Sequence, residues 1–253
     1  MNKALLTIAI VVGALIAFGQ DVNRTDSKGK KQGPWEKVYP GTRVYMYKGQ
    51  FKDDKPVGKF TYFYKSTKVK AIINHDEVTN RSVAYFYHEE GTLMSCGIYR
   101  NLKKDSIWVN FTPSQRLSTK ETYKNDSLHG QKVIFYIPED PNDKSQRVSA
   151  TYMYDNGKLH GEFKEYFISG TVKAKGQYTD NKPSGIWEDF HPNGKRSILT
   201  RYKNGVKHGW IIAYDTNMKR IGSQYYYYGR RLEGKELDEK LKQFEKLGID
   251  PNE

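Results

Sequence analysis

Gly185-Ile186-Trp187-Glu188-Asp189-Phe190 is followed by His191-Pro192-Asn193-Gly194-Lys195, then by Ser197 to Tyr202 and Lys203-Asn204-Gly205. This stretch decides the fold. Asn-Gly between aromatic-rich segments is the strongest short hairpin signal, because both residues tolerate positive φ. It occurs at both turns here, so the stretch reads as two strands of about six residues with a turn at each end.

The surrounding sequence repeats it. Phe190 belongs to a column, Phe63, Tyr87, Phe111 and Phe135, then Tyr166, Phe190 and Tyr214, spaced 24 residues apart except for one step of 31. A second column keeps the same period: Tyr99 and Tyr123, then Tyr154, Tyr178, Tyr202 and Tyr226. A third marks the unit starts, Gly58, Ser82, Ser106 and Gly130, then Gly161, Gly185 and Gly209. Three columns in phase identify a repeat array. The long step is one period plus seven residues, which fall in Pro138-Glu139-Asp140-Pro141-Asn142-Asp143-Lys144. Eight units follow from these starts, the first beginning near Gly33; the second carries His75 where a column tyrosine belongs.

The expected fold is therefore all-β: an antiparallel meander of hairpins forming one elongated sheet. One rim carries the Gly91, Gly170 and Gly194 turns, the other the Asn101, Asn125, Asn156, Asn181 and Asn204 turns. Equivalent aromatics of successive units are expected side by side on one face. After Gly234, Leu237, Leu241, Phe244 and Leu247 lie at helical spacing among Glu236, Glu239, Lys240 and Lys242. They predict an amphipathic helix over 235–248, stopped by Gly248 and Pro251, that caps the last hairpin. An uncovered last strand would invite association; a partner-binding helix is the other reading.

Hydrophobic content is only 37%, but aromatics reach 14%, with 20 Tyr. Disordered chains lack aromatics, so residues 31–234 are expected to fold, burying ring faces while the tyrosine hydroxyls stay solvated. Residues 1–19 differ. Lys3 precedes an apolar run from Ala4 to Phe18, and Ala17-Phe18-Gly19 offers small residues for cleavage before Gln20. That layout predicts a signal peptide and export to the periplasm, the cell surface or the medium. The apolar run is shorter than the ~20 residues of a spanning helix, with an uncleaved N-terminal anchor as the alternative. Residues 20–30 read as a flexible lead-in. Cys96 is the single cysteine, so packing must replace disulfides.

The Gly-x-Trp-x-x-Phe/Tyr core followed by Tyr-x-Asn-Gly-Lys-x-x-Gly resembles the MORN repeat, in the variant of bacterial tandem arrays labelled antitoxin-like. Tyr154-Asp155-Asn156-Gly157-Lys158-Leu159-His160-Gly161 and Tyr202-Lys203-Asn204-Gly205-Val206-Lys207-His208-Gly209 carry it best. Ser82 and Ser106 in place of Gly, and Ala84 and Lys132 in place of Trp or Phe, depart from it. The resemblance implies a hairpin ribbon that binds proteins or anionic lipids and shares no catalytic residues. An antitoxin-like neutralising role transfers poorly to a chain with a leader.

Chemistry is hard to find in these residues. His129, His160 and His208 each precede a unit-starting Gly, and His88 and His191 share one turn slot, so they should lie apart along the array. A zinc site needs converging ligands. Asp140, Asn142 and Asp143 lack the Gly and closing Glu of a calcium loop. No GxSxG, Walker, HExxH or CxxC pattern occurs, and Cys96 has no evident base. The expectation is no catalytic, metal or cofactor residues, no small-molecule substrate and no enzyme. Net charge is +13, and Lys103, Lys104, Lys124, Lys158, Lys182, Lys203, Lys207, Arg230 and Arg231 fall in or near the Asn-side turns. They form a candidate basic rim for anionic lipid, an acidic envelope polymer or an acidic protein. Charged turn residues that merely block edge association are the competing reading. Nucleic acid is disfavoured, because the aromatics are needed for packing. The function expected is a scaffold for an envelope protein partner, with lipid binding through the rim as the alternative.

Overall fold

The structure, a computed structural model, describes residues 21–252. The leader expected over 1–19 lies outside the described residues. An edge strand β1 (Arg24–Thr25) precedes β2 (Lys31–Val38), β3 (Tyr45–Lys52), β4 (Lys55–Phe63), β5 (Val69–His75) and β6 (Arg81–Tyr87). Then come β7 (Leu93–Arg100), β8 (Lys103–Phe111), β9 (Leu117–Lys124), β10 (Ser127–Phe135), β11 (Val148–Asp155) and β12 (Lys158–Tyr166). The last strands are β13 (Val172–Thr179), β14 (Lys182–Phe190), β15 (Arg196–Lys203), β16 (Val206–Lys207), β17 (Gly209–Tyr214), β18 (Arg220–Tyr227) and β19 (Arg230–Leu232). A helix, α1 (Gly234–Leu247), closes the series.

All strands belong to one antiparallel open sheet of consecutive hairpins. β16 and β17 both pair with β15 and form a single return strand interrupted at His208. Eight units are thus realised, from β2–β3 to β17–β18.

The two rims use different turns. Asp53-Asp54, Asn101-Leu102, Asn125-Asp126, Asn156-Gly157, Asp180-Asn181, Asn204-Gly205 and Tyr228-Gly229 have positive φ at both central residues. That is the type I′ geometry that matches strand twist. On the other rim a type I turn ends in one left-handed residue, occupied by Gly91, Gly170 and Gly194 but also by Thr67, Gln115 and Met218. The two-residue pattern fails once: β5 and β6 are joined by the longer loop 76–80. The unit-starting residue opens a bulge at positive φ in every unit but the third. Ser106 takes φ 59°, whereas Ser82 stays extended in a ladder without register shift.

The lead-in, expected to be flexible, is folded. Asp26 caps a turn by accepting from the amides of Lys28 and Lys30 at 2.8 and 3.0 Å. β1 then pairs with β2 and shields that edge.

Each aromatic column keeps to one face, as expected of equivalent residues, but the two columns lie on opposite faces of the sheet. Phe60 and Tyr62 alternate with Thr61 and Phe63 along β4, and ring contacts place Phe60 and Tyr62 together with Tyr47. The column of Tyr99, Tyr123, Tyr154, Tyr178, Tyr202 and Tyr226 lies on that ring face with Trp108 and Trp187. Phe63, Tyr87, Phe111, Phe135, Tyr166, Phe190 and Tyr214 sit on the opposite face, where lysines cover them, as Lys120 does Phe135 and Lys175 does Phe190.

The core is made by the Trp/Phe position two residues after the unit start, where the repeat pattern placed a large ring. Phe60, Trp108 and Phe163 are buried there at 2%, 1% and 7% exposure. Opposite them on the preceding strand stand Gly49, Gly97 and Tyr152, and Trp187 faces Gly176. The rings lie directly on these glycines, and a Cβ on Gly49, Gly97 or Gly176 would enter the ring. Phe163 and Trp187 come within 5.2 Å across the Gly176 strand, although strands two apart lie roughly 9.5 Å from each other. Glycine lets the rings lean together and bury one another without a second layer. The Trp108 and Trp187 indoles donate to the carbonyls of Ile98 and Gln177 at 3.1 and 3.2 Å.

The array is also stitched along both rims. Tyr39 and Tyr64 donate their hydroxyls to the carbonyls of Phe63 and Tyr87 one unit on, both at 2.7 Å. Tyr136 does the same to Tyr166 at 2.5 Å, and His191 to Tyr214 at 3.0 Å. On the type I′ rim the amide of Asp126 donates to the Lys104 carbonyl at 3.0 Å, and the Asp126 carboxylate accepts from the Lys104 amide at 2.6 Å. Asp54 with Lys31 and Asn181 with Leu159 repeat the exchange.

Helix α1 covers the opposite face of the last hairpin, not its ring face. Phe244, with Leu237 and Leu241, packs on Tyr225 and Leu232 beside Trp210 and Tyr227. Gly248 ends the helix in the left-handed conformation. The tail returns over the hairpin, where Tyr225 donates to the Pro251 carbonyl at 2.8 Å.

Candidate functional site: a basic rim and an uncovered face

The basic rim follows from hairpin geometry. Each type I′ turn places the strand residues on either side of it at one edge of the sheet. Lys103, Lys104, Lys124, Lys158, Lys182, Lys203, Lys207, Arg230 and Arg231 all flank such turns. The rim unites them along a line, but not as a uniform positive stripe. Lys104 lies over the rings of Trp108 and Tyr123 at 4.3 and 4.8 Å, and Lys207 over Tyr226 at 5.2 Å. Lys158 pairs with Asp180 at 3.7 Å. Arg230 and Arg231 pair with Glu236 and Glu233 at the helix start. Lys103, Lys124 and Lys182 are exposed. Asp54 and Asp126 stand among these cations as structural anchors. The rim is therefore mixed in sign, with part of its positive charge spent on rings and acids of its own chain.

The other surface is the face opposite the rings. Antiparallel pairing lines up Ile72, Tyr85, Cys96 and Val109 in one row and Val83 and Ile98 in the next, with Ile107 beside them on β8. Tyr85 is 37% exposed and Ile107 57% exposed. Farther along, the same row carries Lys120, Lys164, Lys175 and Glu188. Among the described residues, α1 is the only helix, and it covers these rows only at the last hairpin. Burial pushes the Cys96 thiol above its ordinary pKa, consistent with a packed residue.

The histidines stay apart or serve the frame. His208 is buried at 3% and its Nδ1 accepts from the Tyr228 amide at 3.3 Å; burial, then nearby Lys203, lowers its pKa. His129 lies 3.1 Å from Asp155. His75 Nδ1 is 2.8 Å from the Ser82 hydroxyl, and burial lowers its pKa. No three metal-ligating side chains gather among the described residues. Asp140 and Asp143 turn their carboxylates onto the amides of Asn142 and Ser145 within the inserted loop, each at 2.8 Å.

Arg116 and Glu121 were missed in the sequence. Arg116, in the turn before the insertion, holds that loop through the carbonyls of Asp140, Pro141 and Asp143. Lys132, where a ring belongs, pairs at 3.0 Å with Glu121, which stands where other units have glycine. Burial would raise the Glu121 carboxyl, but Lys132 and the Tyr123 hydroxyl outweigh it and hold the group below its ordinary value. Burial and that same hydrogen bond push Tyr123 up to about 12. The 24-residue ruler marks Lys132 and could have found Glu121 too, because Gly49, Gly97, Glu121, Gly176 and Thr200 form a column of their own. No family model matches the chain, and no match to a curated protein is found.

Proposed function

We propose that the chain is a non-catalytic, exported repeat scaffold that docks a protein partner of the cell envelope. The apolar rows on the uncovered face of β5–β8 support this reading more than any other feature. A contiguous exposed apolar patch rimmed by polar residues marks an interaction surface. Here it is flanked by charge on the same face, whereas the ring face is occupied with its own packing. The signal-like leader and the hairpin array, which resembles MORN repeats, agree with an envelope scaffold. Ile107→Glu should leave thermal stability within about 0.5 kcal/mol of the parent, as exposed substitutions do. It should also remove a partner cross-linked to the chain in its native host at high salt, while Ile186→Glu, outside the patch, retains it. Identical cross-linked species from both variants would reject the docking face.

A second reading rests on the exposed Lys103, Lys124 and Lys182 along one rim. It makes the chain a peripheral module held to anionic lipid or an acidic envelope polymer. Binding to anionic vesicles should then fall steeply with salt; equal binding to neutral vesicles excludes it.

A further inference from the structure

Three of the array's departures from its own pattern meet at one place, the junction of the second and third units. His75 replaces the column tyrosine, Ser82 replaces the unit-starting glycine without its bulge, and the loop 76–80 replaces a two-residue turn. A missing phenol and a displaced turn leave a cleft on the ring face. Its inner part, about 400 Å³, has a floor formed by Tyr47, Phe60, Tyr62 and Tyr99. An outer part of about 290 Å³ opens to the rim between Lys55, Asn80 and Asn101, and His75 borders both. These volumes fall at the lower end of small-molecule sites, roughly 300–1,000 Å³.

The polar groups around the cleft are unspent. His75 itself only walls the cleft, with Nδ1 2.8 Å from the Ser82 hydroxyl and Nε2 closed off from solvent. No hydrogen bond among the described residues engages the hydroxyls of Tyr47, Tyr62 and Tyr99 or the side-chain amides of Asn80 and Asn101. Tyr47 and Tyr62 rings stand 5.9 Å apart, and Tyr47 and Phe60 rings 6.0 Å apart, so the floor is a continuous aromatic surface.

We propose that this cleft binds a pyranose sugar ring, its C–H face laid on the tyrosine floor and its hydroxyls taken by Asn80 and Asn101. The negative faces of aromatic rings suit the weakly positive C–H face of a sugar. A wholly apolar ligand would bury the amides without partners, which costs free energy. An organic cation is opposed by Lys55 at the mouth, and the nearby Asp76 carboxylate is turned onto the amides of Val78 and Thr79 at 2.9 and 2.8 Å. Lys55 further favours a sugar that carries a carboxylate. The cleft lies on the ring face, so this proposal stands apart from protein docking on the opposite face.

Calorimetry and saturation-transfer NMR of the purified chain with glucose, N-acetylglucosamine and glucuronate test it. At least one should bind, with glucuronate the tightest. His75→Tyr restores the column residue and fills the cleft, so it should abolish binding while the melting temperature is kept. Asn101→Gly retains a residue that tolerates the left-handed turn, and should weaken binding about tenfold. Absence of binding by all three sugars, or undiminished affinity in Asn101→Gly or in a folded His75→Tyr, overturns the assignment.

Discussion

The second and fourth units solve the problem of a single-layer core differently from the third and fifth. In the former, a large ring sits on glycine: Phe60 on Gly49 and Trp108 on Gly97. In the third, the sizes are exchanged, with Ala84 at 0% exposure facing Ile73. In the fifth, Lys132 faces Glu121 and charge replaces volume. What the fold requires is the pair across two adjacent strands, filled and satisfied, and not a ring in each unit. Lys132 and Ala84 look like defects when each is read alone. Read with their partners, they are alternative solutions to one packing constraint.

That comparison can be broken most forcefully at the fourth unit. Trp108→Ala should cost about 4 kcal/mol by opening a cavity, and Gly97→Ala about 2–3 kcal/mol by pushing a methyl into the ring. Both are read from urea midpoints. The double variant Trp108→Ala with Gly97→Ile imitates the Ala84–Ile73 pair and should lose at most half of the summed losses of Trp108→Ala and Gly97→Ile measured singly. Strict additivity of the two substitutions would show that the pair is not the unit of packing.

The charged pair gives a smaller effect with a pH signature. Lys132→Met leaves Glu121 without its cation at 14% side-chain exposure and should cost about 2 kcal/mol at pH 7. In the parent, the folded-state pKa of Glu121 is depressed below its ordinary 4.5. The stabilisation is therefore complete above that value and is lost as pH falls through the folded pKa. Parent and variant should converge in stability only once pH falls below the depressed folded-state value. A constant difference down to acid pH would mean that Lys132 acts through packing instead.

The smallest effect sharpens the contrast between the rims. Met218 occupies the left-handed slot that glycine fills at 91, 170 and 194, with φ 72°. Met218→Gly should raise stability by about 0.5–1 kcal/mol, since the left-handed conformation costs a residue with a Cβ. A loss on calorimetric melting would mean that the exposed Met218 side chain contributes more than the strain it carries.

The 24-residue period, the eight hairpins, the two rims and the C-terminal helix were legible because each depends on local chemistry. Asn156-Gly157 or Asn204-Gly205 selects a type I′ turn through its own φ preferences, and alternation over a few residues marks a strand. The rim lysines were legible as positions for the same reason. Their chemistry was not, because Lys104 over Tyr123 and Lys158 paired with Asp180 are contacts that reach beyond the lysine's own strand. The columns led by Phe63 and Tyr99 share a period yet face opposite ways. Period alone carries no parity across a turn and a bulge, and a shift of one residue exchanges the faces.

The sequence by itself determined a ribbon: which residues turn, which extend, and how often the pattern returns, all set by backbone preferences over a few neighbouring residues. Tertiary structure decided which glycine lies beneath which indole, which face α1 covers, and that the irregular second and third units open a cleft. Those outcomes depend on the register between neighbouring strands, where a side chain's role is set by the residue standing opposite it.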